Sequence, residues 1–592
     1  MIKPYKLTAQ PCRFCTTYKK GDAAIPPELY SAKSDAPDLC GFPLPLPSKK
    51  NDYTCRAVTM DGAEWFGATT GLTRYFKDAE REDDVIMFFA ADRDLPDNRV
   101  ISLLPKEDGL WVQTETGVTY IEMRLVGAEE KADILLAESV KYVDRRGMYS
   151  QKRLAVPGDV SSAVSYGHSD NDGCFTAGFA IAEMLRFATF KREKGAEHQD
   201  TLGAKKTALR AVEACLLLMH IHGRGDGFVA RSYLCPDEPV PDDGLFFRKE
   251  GGKATCLETK AAKKRGMVGM VIDASAPVPD RLSKLYRDEG CGDDGIVYKA
   301  DTSSDEISLH FLNLLFAHDI LCADDPELDE IIKFSVRGLM EHIIDHGYEL
   351  HDCTGQPTTW AKWSKKYFET SHGYVDACLN SAELLMYLKV TMHILGESGK
   401  WQKAHDELIA DGYADLTEKH WDRLYQAGLS MGFEPVEDIM YGDHMLCVVS
   451  FWGLCMLEKD EALLEKYRNG FRSWRTSLKR EFNPGYDLPF ALSCPDEEID
   501  MERMATWLYR INISRLAAGV STIGRHDTPV ATRRAGYKEI SWLLPNDERF
   551  ISKYDRNPFE LKNVDSGGLN TVESCYIYTF AYWIGRYYGF FE

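Results

Sequence analysis

From about residue 130 to the C-terminus, apolar residues recur with the 3.6-residue period of a helix. They do so in two alternating styles. Segments such as "CFTAGFAIAEMLRFATF" and "SLHFLNLLFAHDILC" are apolar on more than one face, as buried helices are. Segments such as "LGAKKTALRAVEACLLLMH" and "ELDEIIKFSVRGLMEHIID" carry Lys, Arg and Glu along one side, as outer helices do. The first kind opens at about residues 173, 304, 375, 443, 501 and 572, and the second fills the gaps at about 202, 326, 399 and 460. Six inner helices with outer ones between them predict a ring of six helical hairpins, an (α/α)6 toroid.

The first third follows a different period. "GAEWFGATTGLTRY" and "GLWVQTETGVTYIE" each place a Trp (Trp65, Trp111) six positions before a Gly (Gly71, Gly117), among alternating β-formers. The copies are 46 residues apart, the length of a propeller blade. These repeats resemble the blades of the two-component-regulator propeller family, whose pattern runs G-x-x-W-x-G-T-x-x-G-L. Two blades cannot close a ring. Their apolar faces must be covered by the rest of the chain or by another subunit, which makes a homo-oligomer an open expectation. The predicted fold class is therefore α+β and mainly helical: a β-rich, propeller-blade-like region over residues 1–127 and an (α/α)6 toroid over 128–592.

Because consecutive helices run antiparallel, the inner helices point the same way and their N-termini share one rim. Those N-termini carry "HSDND" (His168, Asp170, Asp172), "DTSSDEISLH" (Asp305, Glu306, His310) and "TSHGYVD" (His372, Tyr374, Asp376). The remaining three carry "YGDHM" (Tyr441, Asp443, His444), "CPDEEIDME" and "NTVES" (Glu573). Each cluster alone has an ordinary explanation, since Asp, Ser and Asn cap helices and acids complement the dipole. Capping does not account for the His and Tyr beside the acids, nor for their recurrence on one rim. Carboxylates, imidazoles and aromatics around one concavity suit a sugar site, where hydroxyls need fixed acceptors and cleavage needs two acids.

The stretches "SDNDGCFTAGFAIAEMLRFA", "GFVARSYL", "DTSSDE", "GQPTTWAKW" and "NPFELKNVDSGG" through "YWIGRYYGF" span most of residues 150–592. This region resembles the six-hairpin glycosidase superfamily, which includes unsaturated glucuronyl and rhamnogalacturonyl hydrolases and, on related toroids, polysaccharide lyases. It is most similar to a bacterial and fungal group that joins propeller-like blades to such a toroid. The resemblance implies carbohydrate chemistry without specifying a substrate.

The residues themselves suggest the roles. Asp305 or Glu306 is the candidate general acid, with His310 one turn on from Glu306. Asp172, with Asp170, is the candidate second carboxylate, and Asp443 with His444 a further one. Arg231 could hold a sugar carboxylate, with Tyr233 beside it. Trp360 and Trp363 could be stacking platforms. The leading expectation is a glycoside hydrolase acting on oligosaccharides, some bearing a uronic acid. A lyase would draw instead on His168, His372, Tyr374, Tyr441 and Arg231 for its base and its carboxylate neutraliser. A non-catalytic sugar-binding or scaffold protein would use the aromatics and need no acid pair.

Charge and cysteine usage narrow the setting. A net charge of −21 with no basic stretch argues against nucleic acid as partner. No apolar run suggests a leader or membrane span. Sixteen cysteines, several of them in apolar helical patterns, read as reduced core thiols and a cytoplasmic setting. Cys12 and Cys15 could open a zinc site with Cys40 and Cys55, but the second pair lacks the matching spacing. No metal and no cofactor is expected.

Overall fold

The computed structural model describes residues 3–32, 36–39, 42, 45–91, 93–396, 399–419, 441–516, 525–528, 530–532, 538–540, 542–549, 553–554, 556–560 and 569–592. The N-terminal part is strand-rich. β1 (Gln10–Lys19) is followed by a short helix α1 (Glu28–Ser31) and by two meanders. The first comprises β2 (Tyr53–Val58), β3 (Glu64–Ala68), β4 (Gly71–Tyr75) and β5 (Ile86–Phe89). The second comprises β6 (Val100–Pro105), β7 (Leu110–Thr114) and β8 (Gly117–Val126), and β1 returns to pair along the whole of β8. Both repeats are thus four-stranded antiparallel sheets, in the orders β2-β3-β4-β5 and β1-β8-β7-β6.

The sheets share a core in which Trp65, Leu72 and Met87 of the first meet Leu103, Val112 and Ile121 of the second. Trp111 lies on the far face of the second sheet, against Tyr18 and Tyr120. The two tryptophans therefore point the same way, and the repeats stack in one sense. Their outer faces are covered from within the chain. Ile25 and Leu29 lie over Trp111, and Leu46 and Phe42 lie over Tyr53 and Phe66.

After β8 the chain turns at once into α2 (Ala128–Tyr142), and β9 (Gln151–Arg153) then pairs with the strand Thr571–Glu573 near the C-terminus. The hairpins follow: α3 (Asp172–Lys194) with α4 (Gln199–Leu218), and then an excursion over residues 219–303. The excursion holds α5 (Lys260–Arg265), α6 (Asp280–Arg287) and a five-stranded sheet. Its strands are β10 (Ser232–Leu234), β11 (Phe246–Glu250), β12 (Lys253–Cys256), β13 (Val271–Asp273) and β14 (Val297–Lys299). Next come α7 (Ser304–Leu321), α8 (Pro326–Asp345), the hairpin of β15 (Glu349–His351) and β16 (Pro357–Lys362), and α9 (Lys365–Phe368). The described helices end with α10 (Ser371–Leu395), α11 (Lys400–Ala410), α12 (Tyr413–Thr417), α13 (Tyr441–Leu457), α14 (Glu461–Leu478), α15 (Pro484–Ser493), α16 (Met501–Tyr509) and α17 (Tyr576–Tyr587).

α3 packs on α7, α7 on α10, α10 on α13, α13 on α15, α15 on α17, and α17 on α3. Six helices thereby close a ring. α7 buries every residue from Glu306 to Ala317, which its all-round apolar sequence required. By composition the run Ser304–Asp324 would also pass for a membrane span, its most apolar 18-residue window having mean hydropathy 1.2, but 72% of that window is buried.

Three expectations are corrected. The fifth inner helix is α15, not the segment opening at 501. "PGYDLPFALS" hides its helical period behind Pro484 and Pro489. Pro484 sits in the first turn, where no N–H is needed, and Asn483 caps the N–H of Gly485. "CPDEEIDME" then follows the C-terminus of an inner helix and lies away from the rim. Glu573 belongs to the strand paired with β9 and is bound by Arg515 and Lys553. Finally, the thiols are not all reduced, because Cys235 and Cys291 form a disulfide with Cα atoms 6.2 Å apart. Cys12 and Cys15, three apart on β1, face opposite sides of the strand, and Cys40 lies outside the described residues. Part of "NPFELKNVDSGG" also lies outside them.

A buried charge cluster joins the strand-rich part to the ring. Arg510, 1% exposed, donates to both oxygens of Asp547 at 2.9 and 3.0 Å and to Glu548 at 2.7 Å. From the β part, Arg13 reaches Asp547 at 2.8 Å and Asp94 at 3.1 Å. Arg525 closes the cluster on Glu548 at 2.6 Å.

Candidate active site

Four inner helices deliver their N-terminal turns to one cavity of ≈ 410 Å³. Asn171 and Phe175 come from α3, Ser303 and Asp305 from the start of α7, Asp376 and Asn380 from α10, and Asp443 from α13; Trp360 on β16 and Arg556 complete the wall. The volume falls within the range of about 300–1,000 Å³ usual for small-molecule sites. The other two inner helices meet beside it: Phe175 stacks on Tyr576 of α17 at 5.2 Å, and Tyr554 links Tyr576 to Tyr486 of α15.

The capping explanation fails at two of these helices. Asn171 and Ser303 stand at the N-cap positions of α3 and α7 and make no side-chain capping bond, whereas Thr370 does cap α10. Asp305 instead pairs with Arg231, whose Nη2 lies 3.4 Å from its Oδ2. Arg231 also donates to the carbonyl of Asp170. The arginine is therefore a brace joining the α3 and α7 ends of the rim.

Asp305, Asp376, Asp443 and Trp360 are the residues named from the sequence that line the cavity, and Arg231 borders it through Asp305. The others stand elsewhere. Asp172 is buried outside the cavity wall, accepting from Arg145 at 2.5 Å, from Ser232, and from the backbone N–H of Ser169 at 3.2 Å. Asp170 is held by Lys299. His168 faces Asp243 at 3.4 Å and the edge of Phe246, and burial with the nearby Lys299 charge holds its imidazole below its ordinary pKa. Tyr233 is buried under the guanidiniums of Arg145 and Arg146. His372 and Tyr374 are exposed beside the mouth, the latter under Lys419. Tyr441 accepts from Arg480 at 2.7 Å, and His444 is buried against Glu481 at 3.2 Å. Trp363 is fully buried, and only Trp360, 57% exposed, offers a ring face.

Behind the cavity lies a layer of buried acids. Glu306 is packed against Gly173 of α3, where an added Cβ would come within 2.1 Å of its Oε2. Burial, then the neighbouring Asp305 charge, pushes the Glu306 carboxyl well above the ordinary range. His310, 4.0 Å away, is held down to about 4 by burial. Glu383, seven residues beyond Asp376 on α10, accepts from Trp363 Nε1 at 2.8 Å and from Ser308 Oγ at 3.0 Å. Burial raises it to about 8, and the charges of Asp443 and Asp305 add to the rise. Glu383, Asn380 and Arg556 were missed in the sequence. The seven-residue step from Asp376 to Glu383, which returns to the same helix face, was the available signal for Glu383.

Two expectations follow. Trp360→Ala removes the exposed ring face and should weaken a ligand stacked on it about two- to tenfold, the value of about 0.5–1.5 kcal/mol for a stacked aromatic; ligand titration checks this. For Glu383, the unfolded carboxyl titrates at about 4.3 and the folded one at about 8. Between those values the folded chain holds the extra proton, so stability falls as pH rises through that window. Glu383→Gln should remove this loss, seen as a denaturation midpoint that becomes less pH-dependent over the same interval.

Among known proteins, no family's sequence profile and no curated protein matches the chain. A solved structure, a thermostable endoglucanase from Alicyclobacillus acidocaldarius, aligns over 90% of this chain and 98% of its own at 11% identity and a TM-score of 0.38.

Proposed function

We propose that the chain is an (α/α)6-toroid glycoside hydrolase acting on short oligosaccharides, with Asp305 and Asp443 as the catalytic carboxylates. The observation that supports this reading is the meeting of Asp305, Asp376 and Asp443, from three successive inner helices, in one cavity beside an exposed tryptophan. In hydrolysis one carboxyl protonates the leaving glycosidic oxygen while the other assists water or attacks the anomeric carbon. Asp305, ion-paired to Arg231 at the start of α7, and Asp443, on the wall formed by α13, are the pair assigned to these two roles. Asp376, which accepts from the Tyr367 hydroxyl at 2.6 Å, and Asn380, which donates to the Lys362 carbonyl at 2.8 Å, form the polar wall against which sugar hydroxyls would lie. Arg556 could pair with a uronate carboxylate at the mouth.

The lyase reading fits the geometry less well. Of its parts, His168 and Tyr441 are engaged elsewhere, and neither His372 nor Tyr374 lines the cavity. A product-resolved screen tests the choice. The protein is incubated with neutral and uronate-bearing oligosaccharides while new reducing ends and the absorbance of a new C4–C5 double bond are followed together. Reducing ends without absorbance support hydrolysis. Absorbance would replace this reading with elimination.

A further inference from the structure

At the opposite end of the ring from the cavity, the C-terminal turns of α7 and α10 bring His318 and His393 onto one carboxylate. His318 Nδ1 and His393 Nε2 each lie 2.8 Å from Asp319 Oδ1. The two imidazoles stand edge to face at 5.7 Å, so their nitrogens converge on the oxygen from different directions. We propose that His318, Asp319 and His393 form a binding site for one divalent transition-metal ion, with Zn²⁺ as the natural occupant of two imidazole nitrogens and a carboxylate oxygen.

Three further features support this. Metal–ligand bonds of about 2.0–2.2 Å in tetrahedral geometry place ligand atoms about 3.3–3.6 Å apart. The three donor atoms lie within 4.8 Å of one another, so an ion needs only a small outward movement of partly exposed side chains. The other nitrogen of His318, Nε2, faces Asp329 Oδ1 of α8 at 3.8 Å. That oxygen is buried without a hydrogen-bond partner, its twin accepting from Lys333 at 2.6 Å. A carboxylate behind a ligating histidine is the usual outer partner that fixes its tautomer and raises its basicity. Finally, both histidines sit in last helical turns, where the carbonyl ends of two helix dipoles favour a cation.

The ion would clamp two adjacent inner helices at the end of the ring opposite the cavity, and the inference is independent of the carbohydrate reading. The test is calorimetric titration of the full chain with Zn²⁺, together with the thermal midpoint in Zn²⁺ and in chelator. The wild type should bind one equivalent and unfold at a higher temperature with the ion. His318→Gln and His393→Gln should each abolish both effects. Asp329→Asn should weaken binding by about 10–100-fold, the usual value of an outer partner. No binding by the wild type, or Zn²⁺ binding that survives both histidine substitutions on the buried cysteines, would overturn the assignment.

Discussion

Replacing Asp305 by Asn is expected to lower turnover by about 10²–10⁴-fold, the usual value of a positioned acid or base, while leaving substrate affinity within a few-fold of wild type. The substitution keeps the shape of the side chain at the start of α7, and the lost charge faces a cavity rather than the core. Arg231 keeps its bond to the Asp170 carbonyl, so the rim should stay braced. Asp443→Asn should behave in the same way. The double variant should lose little more than either single one, because residues that act as a unit are not additive. Asp172→Asn should differ in kind. It weakens a buried contact with Arg145 that does not touch the cavity, so stability should fall before kcat does.

The largest expected effect on stability is at Arg510. Arg510→Met removes the central cation of a buried cluster and leaves Asp547, Glu548 and Asp84 short of a partner at the seam between the strand-rich part and the ring. Breaking one side of such a cluster costs about 3–5 kcal/mol, because the stranded charges stay desolvated. Guanidinium denaturation followed by tryptophan fluorescence should show the loss. The eleven tryptophans are spread over both parts, with Trp65 and Trp111 in the β part and Trp452 and Trp583 in the ring, and the shared charge cluster predicts a single transition in the wild type. An Arg510→Met midpoint equal to that of the wild type would mean that the seam carries no net stability.

The sequence disclosed the ring because burial on all sides leaves an unmistakable composition in α3, α7, α10 and α13. It concealed α15, where two prolines mask a short helix stabilised by its neighbours rather than by propensity. The rim was legible as well, since acids at helix starts are local signals. Rotation about each helix axis was not. Asp172 and Asp305 both open inner helices, yet one is held outside the cavity wall by Arg145 and Ser232, residues distant in sequence, while the other faces the cavity. The tryptophans of "TTWAKW" show the same limit. Trp360 and Trp363 are three apart around the end of β16, so strand alternation sends one to the cavity and the other to the core beside Glu383.

The most direct measurement separates binding from turnover in a single preparation. Oligosaccharides turned over by the wild type are titrated into Asp305→Asn and Asp443→Asn, with calorimetry reporting occupancy and released reducing ends reporting cleavage. The account predicts saturable binding close to that of the wild type in both variants, with cleavage reduced by about 10²–10⁴-fold. Cleavage at the wild-type rate in both variants would contradict it and move the catalytic acids away from this cavity.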